Sequence, residues 1–510
     1  MQRKAWFFGL FSLPLLYVLI AFYILNNGHL HEDAYILFQY VRNVNEFGVI
    51  SFDKASGAAE GATDFLWMLM IASLGYFSID LAYAAGILNV IGLFSILLFI
   101  SYLTEKRFSL FVALSVLVFF SGGVAASLGG FSSLAYGGIF SGIMWTVLEK
   151  RTSLLIALCL TLALFRPDGV LIAIGTFLSF SYFNRDCFGR IDFITLAAAI
   201  IIGIIYFFWR YNYFGLLLPL PLLVKSNTDQ FLEGLRPNIS ALISYAPLFF
   251  ITIRALIGDS VKRKQAIIFV SGPTLLFVFL IFSHQSQNVG NRFQFIIVLA
   301  TIFLAALSKE RLRLLLLIAL AFPLVHGLKI NYGNIKYLTN NDYINSFPQS
   351  LRKQGFNYEN IAITEAGRLP YFYNADSMID LVGLNSKSVV MKGAYKVLSE
   401  KVPDLIFVHH AGRYIIDGRY QHDSSVKFIG LSPKNISLTP YQGSNPVALA
   451  PEAALNFAVE KSYKAYIVRY PTADGDFNHV YFLRPGVDER SFLRAIDFAV
   501  RNKIPYVKSF

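Results

Sequence analysis

The chain has 510 residues, of which 55% are hydrophobic, 16% aromatic and only 15% charged, and its formal net charge is +12. A soluble globular domain carries about a quarter charged residues, so this composition excludes an ordinary soluble protein. The basic excess is spread along the chain and no basic block interleaved with aromatics stands in its C-terminal part, which argues against a nucleic-acid partner.

Apolar runs crowd the first 330 residues with the length of bilayer-spanning helices. The first follows Arg3 and Lys4 as a signal peptide would, but no small-residue cleavage site comes after it, so it reads as an uncleaved first helix. Candidate spans fall at about 6–25, 82–103, 108–122, 132–148, 153–166, 168–183, 192–209, 239–257, 266–282, 291–307 and 313–328. Basic residues mark every second junction: Arg3-Lys4, Lys106-Arg107, Lys150-Arg151, Arg185 with Arg190, Lys262-Arg263-Lys264, and Lys309 with Arg311 and Arg313. The positive-inside rule places these in the cytoplasm. About eleven spans then leave the N-terminus inside and the remainder of the chain, 331–510, outside. Counting 65–77 as a further span would invert every later loop, so it reads as a helix in or dipping into the outer interface.

This topology collects ionisable groups at the outer face. The first outer loop, within 26–81, carries Glu32, Asp33, Glu46, Asp53, Glu60 and Asp64, and the long segment 210–237 carries Arg210, Lys225 and Arg236. Shorter junctions hold Arg166-Pro167-Asp168-Gly169 and, in 283–292, Arg292. A carboxylate pair close to lipid is costly unless paired or solvated. Glu32-Asp33 therefore reads either as a solvated loop pair or as the seat of a general base for an acceptor hydroxyl. Pro167 and Asp168 suit the first turn of the next helix, which leaves Arg166 in need of a partner or ligand. Lys225 and Arg292 read as phosphate contacts or as cations snorkelling from apolar surface.

Residues 331–510 read as a soluble α/β domain, with short strands near 361–364, 405–408, 465–468 and 479–483 and helices near 451–460 and 488–500. Both cysteines, Cys159 and Cys187, lie in the membrane part, so this domain has no disulfide framework. His409-His410 follows a strand, where adjacent side chains point to opposite faces, so that pair makes a poor metal site. No metal-ligand spacing requires a metal, and none is assigned.

Several spaced elements agree in order with a known group. Glu32-Asp33-Ala34-Tyr35-Ile36, Tyr40-Val41-Arg42-Asn43 and Glu60-Gly61-Ala62-Thr63 through Leu66-Trp67 resemble the first outer loop of GT-C glycosyltransferases, specifically the group of mycobacterial terminal arabinofuranosyltransferases. Glu32 stands where that group has a second Asp, and Gln39 where it has Arg. Arg166-Pro167-Asp168-Gly169 is similar to its Arg-Pro-Glu-Gly motif, and Gly215, Pro219 and Lys225 to its outer Gly-Pro-Lys segment. Gly290-Asn291-Arg292-Phe293 is similar to its Asp-Arg-aromatic. In the tail, Thr364-Glu365-Ala366-Gly367 and Ile379-Asp380-Leu381-Val382-Gly383-Leu384-Asn385 resemble its Asp-x-Gly and Ile-Asp-Leu-x-Gly-Leu-x-Asp patterns.

The resemblance implies a polytopic α-helical membrane protein of GT-C type with a C-terminal soluble α/β domain, divided as 1–330 and 331–510. It implies transfer of a sugar, a pentofuranose such as arabinofuranose in the closest group, from a polyprenyl-phosphate donor to a cell-envelope glycan or glycolipid. The setting would be the outer face of the bacterial inner membrane. Asp33 would be the general base and Glu32 its helper. Arg42, Glu60, Arg166 and Asp168 would shape the sugar site, and Lys225 and Arg292 would hold the donor phosphate with Arg210 in reserve. Some members of the superfamily use a divalent cation. The rival from another class is a transporter or flippase of lipid-linked sugars, whose ionisable groups tend to sit at the midplane between broken helices. An inactive relative acting as an assembly partner is a third reading, disfavoured by the intact Asp33.

Overall fold

The computed structural model describes residues 2–501 apart from 106, 226–233, 258–259, 284, 286–287, 309–312, 341–342, 412–413, 417–426, 439–445 and 473–474. Helices occupy the runs read as spans. They are Gln2–Asn27, Leu81–Thr104, Phe108–Phe119 with Gly122–Leu128, Ser133–Leu148, Thr152–Phe165, Gly169–Phe183, Arg190–Phe214, Ala246–Ile257, Ser260–Ile281, Phe295–Leu307 and Arg313–Leu338. Among the described residues, five helices are long and apolar enough to cross a membrane. The pair Phe108–Phe119 and Gly122–Leu128, bent by 50°, makes a sixth if taken as one span. Others are short: the 14 residues of Thr152–Phe165 reach roughly 21 Å against a hydrocarbon core of about 30 Å. The run 239–257 is broken into Leu235–Leu242, a 3-10 turn Ile243–Tyr245 and Ala246–Ile257. Pro247, with no N–H to donate, falls at the start of the last piece, where its loss is tolerated.

The segment expected at the interface is a helix, Phe65–Tyr76. Its side chains Trp67, Met68 and Ile71 are buried, while Tyr76 and Phe77 at its end are exposed. Twelve residues give it a length of roughly 18 Å.

The chain forms two compact units whose boundaries differ from the division at 330/331. The helical unit comprises Met1–Asn26, Asp64–Asn212 and Gln230–Thr339, and the second comprises Asn27–Thr63, Tyr213–Asp229 and Asn340–Phe510. Position 330 lies inside the helix Arg313–Leu338, so no linker separates domains there. The first outer loop, which sequence assigns to the membrane part, belongs by its contacts to the unit containing the sheet.

Eight strands are present among the described residues: β1 (Asn360–Ile363), β2 (Ser377–Asp380), β3 (Leu405–Ala411), β4 (Tyr414–Ile416), β5 (Lys427–Leu431), β6 (Ile436–Leu438), β7 (Lys464–Thr472) and β8 (Gly475–Leu483). Six form one sheet in the order β2-β1-β3-β8-β7-β5, and β4 pairs β6 separately. β1 is parallel to both β2 and β3, whereas β3–β8, β8–β7 and β7–β5 are antiparallel. Alternation along β3 sorts its side chains. Ile406 and Val408 pack in one core with Ala454, Phe457 and Ala458 of the helix Pro446–Glu460. Phe407 stacks on Tyr481, with ring centroids 5.1 Å apart, and Tyr481 meets Phe492 of the helix Glu489–Arg501. His409 continues this second row.

Candidate functional site

The acidic pair opens the helix Glu32–Phe47, whose first turn favours negative charge because its backbone N–H groups lack partners. Glu32 is largely shielded from water. Arg368 donates its backbone N–H to one carboxylate oxygen at 2.6 Å and its Nε–H to the other, and its Nη1 donates to Asn345 Oδ1 at 2.6 Å. Burial pushes the Glu32 carboxyl up to about 7, against the pull of Arg368. Gly367 makes this approach feasible, since a Cβ there would lie 1.9 Å from Glu32 Oε2. Asp33 is half-buried beside it.

Further along the same helix, Arg42 donates to Tyr371 O at 2.8 Å and Gln39 Oε1 at 3.2 Å, and its guanidinium lies 4.0 Å from the Tyr371 ring centre. Glu60 is buried, and its carbonyl accepts from the Leu220 N–H at 3.2 Å. Gly61 N–H donates to Tyr40 Oη at 2.9 Å, and that hydroxyl donates to Asn385 Oδ1 at 3.1 Å. Asp380 in turn accepts from the N–H groups of Val382 and Asn385 and from the Asn385 amide, closing the turn after β2. The tail motif around Asp380 thus builds the frame that holds the first outer loop. Lys225 ends the short helix Leu220–Lys225; its side chain lies outside the described residues.

The helical unit holds a second group. Asp168 caps the helix Gly169–Phe183 by position only, with no side-chain cap bond. Its carboxylate instead meets Arg166 Nε and Nη2, both at 3.0 Å, in a bidentate pair. Arg166 is buried and its guanidinium lies 4.9 Å from the Tyr136 ring centre and 5.8 Å from that of Phe293. Asp64 accepts from Ser132 Oγ at 2.9 Å, and burial pushes its carboxyl up while Arg166 and Arg292 pull it down. Arg292 stacks 3.7 Å from the Phe131 ring centre and 5.1 Å from that of Phe293. It is aimed by a kink in which Gly290 and Asn291 are left-handed, with φ of 60° and 58°. A Cβ on Gly122 would lie 1.7 Å from Gly290 O, so that backbone contact depends on glycine. Arg210 is buried near the end of the helix Arg190–Phe214.

The structure therefore gathers Arg166, Asp168 and Arg292 in one unit, and Glu32, Asp33 and Arg42 on one helix of the other. Sequence reasoning did not single out Arg368, Asn345, or the part of Asp64. Arg368 stands one residue beyond the Thr364–Gly367 motif, and that adjacency was the available signal. The described residues contain one further cluster: donor atoms of Glu365, His409 and His479 all lie within 4.8 Å of one another.

The fold is similar to that of ArnT from Cupriavidus metallidurans in the apo state, with a TM-score of 0.53 over 77% of this chain and 92% of that one, at 12% sequence identity. No family model matches the sequence, and no curated protein does. The likeness shows the fold alone, a mostly helical architecture with a small C-terminal sheet domain. The narrower arabinofuranosyltransferase resemblance rests on the motifs alone.

Proposed function

We propose that the chain is a membrane glycosyltransferase that moves a sugar from a polyprenyl-phosphate donor to a glycan or glycolipid of the cell envelope. The supporting observation is the division of labour in the acidic pair. Arg368 engages both oxygens of Glu32, which leaves the base role to Asp33 and makes Glu32 the residue that fixes the start of their shared helix.

In this reading Asp33 accepts the proton of the acceptor hydroxyl as its oxygen bonds to the anomeric carbon. The bond from that carbon to the phosphate oxygen breaks, and polyprenyl phosphate leaves with the electron pair. A single displacement inverts the anomeric centre. Phosphate is a good leaving group, so cations that stabilise it can replace a strong general acid. Lys225 and Arg292 would supply them, with Arg210 in reserve, while Arg42, Glu60, Arg166 and Asp168 would shape the sugar site. The motifs favour a pentofuranose. The N-terminus would lie in the cytoplasm and the sheet-containing unit outside the bacterial inner membrane.

The test is turnover of purified protein in nanodiscs offered a panel of polyprenyl-phosphate sugars with an envelope glycan extract, read as released polyprenyl phosphate. Asp33→Asn should lower turnover by about 10²–10⁴-fold while leaving the unfolding temperature unchanged. Equal turnover in the variant removes Asp33 from the mechanism. Movement of labelled lipid-linked sugar across sealed vesicles without release would establish the transporter instead.

A further inference from the structure

We infer that Glu365, His409 and His479 form a zinc site on the sheet of the second unit. Three neighbouring strands, β1, β3 and β8, bring these residues together. His409 on β3 and His479 on β8 are direct cross-strand partners, with ring centroids 4.6 Å apart. β1 runs parallel to β3 on the other side, with Ile363 paired to Phe407, so Glu365, two residues past β1, arrives beside His409. The Glu365 carboxylate lies 2.6 Å from His409 Nδ1.

The donor set is one carboxylate and two imidazoles, which suits Zn²⁺ among common divalent ions and leaves a fourth position for water. In a tetrahedral zinc site neighbouring ligand atoms lie about 3.3 Å apart, so donors already within 4.8 Å of one another reach it by small side-chain rotations. The shell around them is built as metal sites are built. Tyr343 Oη sits 2.5 Å from His479 Nδ1, which assigns Nε2 to the metal, and Tyr343 is itself held by Tyr481 Oη at 2.7 Å. The His409 backbone N–H donates to Thr364 Oγ1 at 2.9 Å, fixing the loop that bears Glu365. His479 is buried, while Glu365 and His409 are partly exposed, giving an entry path. A bound ion would take the place of the proton shared by His409 and Glu365 and release it.

Zinc here would pin the loop 364–368, whose Arg368 holds Glu32. This last consequence rests on the reading of Glu32-Asp33 as the catalytic pair; binding itself does not.

The full-length chain, stripped with a chelator in detergent, is titrated with Zn²⁺ against a chromophoric competitor, and separately with Co²⁺ to read the intense visible bands of a four-coordinate site. One zinc per chain is expected. Tyr343→Phe should weaken binding by about 10-fold, and His409→Gln or Glu365→Gln by more than about 100-fold. His479→Gln alters a buried position, so the decisive variant is His409→Gln, with its unfolding temperature confirming the fold. Absence of zinc uptake by the wild type, or full uptake by a folded His409→Gln, overturns the site. The titration needs no sugar donor, so its failure is separate from failure of the transferase reading.

Discussion

Glu32 and Arg368, 336 residues apart in sequence, are joined through the side chain of one and both the backbone and the side chain of the other. Each is largely shielded from water, with side-chain exposures of 15% and 7%. Removing one partner leaves the other charge buried and uncompensated, at a cost of about 3–5 kcal/mol. Glu32→Ala should therefore lower the unfolding temperature of the purified protein markedly. Glu32→Ala with Arg368→Met should recover much of the loss. A double variant no more stable than the single would show that the pair carries no coupling.

Arg166 meets Asp168 through two parallel N–H bonds that an ammonium cannot reproduce. If this pair shapes the sugar site, Arg166→Lys should keep the charge yet lower turnover by roughly 10²-fold. Steady-state release of polyprenyl phosphate checks it. An unchanged rate would confine Arg166 to a structural part.

Gly122 and Gly290 touch backbone to backbone, and the contact fixes the kink that aims Arg292. Gly122→Ala places a methyl inside the van der Waals radius of Gly290 O, an overpacking cost of about 1–3 kcal/mol. Turnover should fall with it as Arg292 moves from the Phe131 ring. Ser115→Ala, which fills no such contact, serves as the control for nonspecific destabilisation, and both are read by thermal unfolding beside turnover.

Arg352 donates to both oxygens of Glu359, at 2.5 and 3.1 Å, and this hydrogen bonding holds the Glu359 carboxyl below its ordinary value. A depressed carboxyl stabilises the fold above the pKa of its unfolded form, and the gain disappears as pH falls through the folded value. The pair is partly exposed, so its worth is about 0.2–1 kcal/mol. The stability difference between wild type and Glu359→Gln should be present at pH 7 and vanish in strong acid. A difference that persists unchanged in acid would assign it to packing.

The positions of most apolar helices and the main strands of the tail were legible in the sequence because hydrophobic periodicity and turn residues are local signals, whereas the count of spans was not, since only five helices among the described residues are long and apolar enough to cross a membrane. The acidic pair and the Arg166–Asp168 motif were legible for the same reason. Partners across the sheet were not. His410 adjoins His409 in sequence, yet antiparallel pairing sets His479 opposite His409, and register between strands 70 residues apart leaves no local mark. The strand Ser377–Asp380 was likewise hidden inside a motif read for its resemblance. Asp64 looked like one more loop acid, and only the fold brings it to Arg166.

The second unit is assembled from three separated stretches, the first ending at Thr63 and the last beginning at Asn340. During synthesis the helix Glu32–Phe47 emerges early and waits for Arg368, Tyr371 and Asn374 until more than 300 further residues are made. At elongation rates of about 5–20 residues per second that delay is on the order of tens of seconds. Over this interval Glu32 has none of the partners that later bury it. Completion of the carboxylate pair is thus a late step in the life of the chain, and a polypeptide cut short before β1 would carry its acidic helix without the residues that orient it.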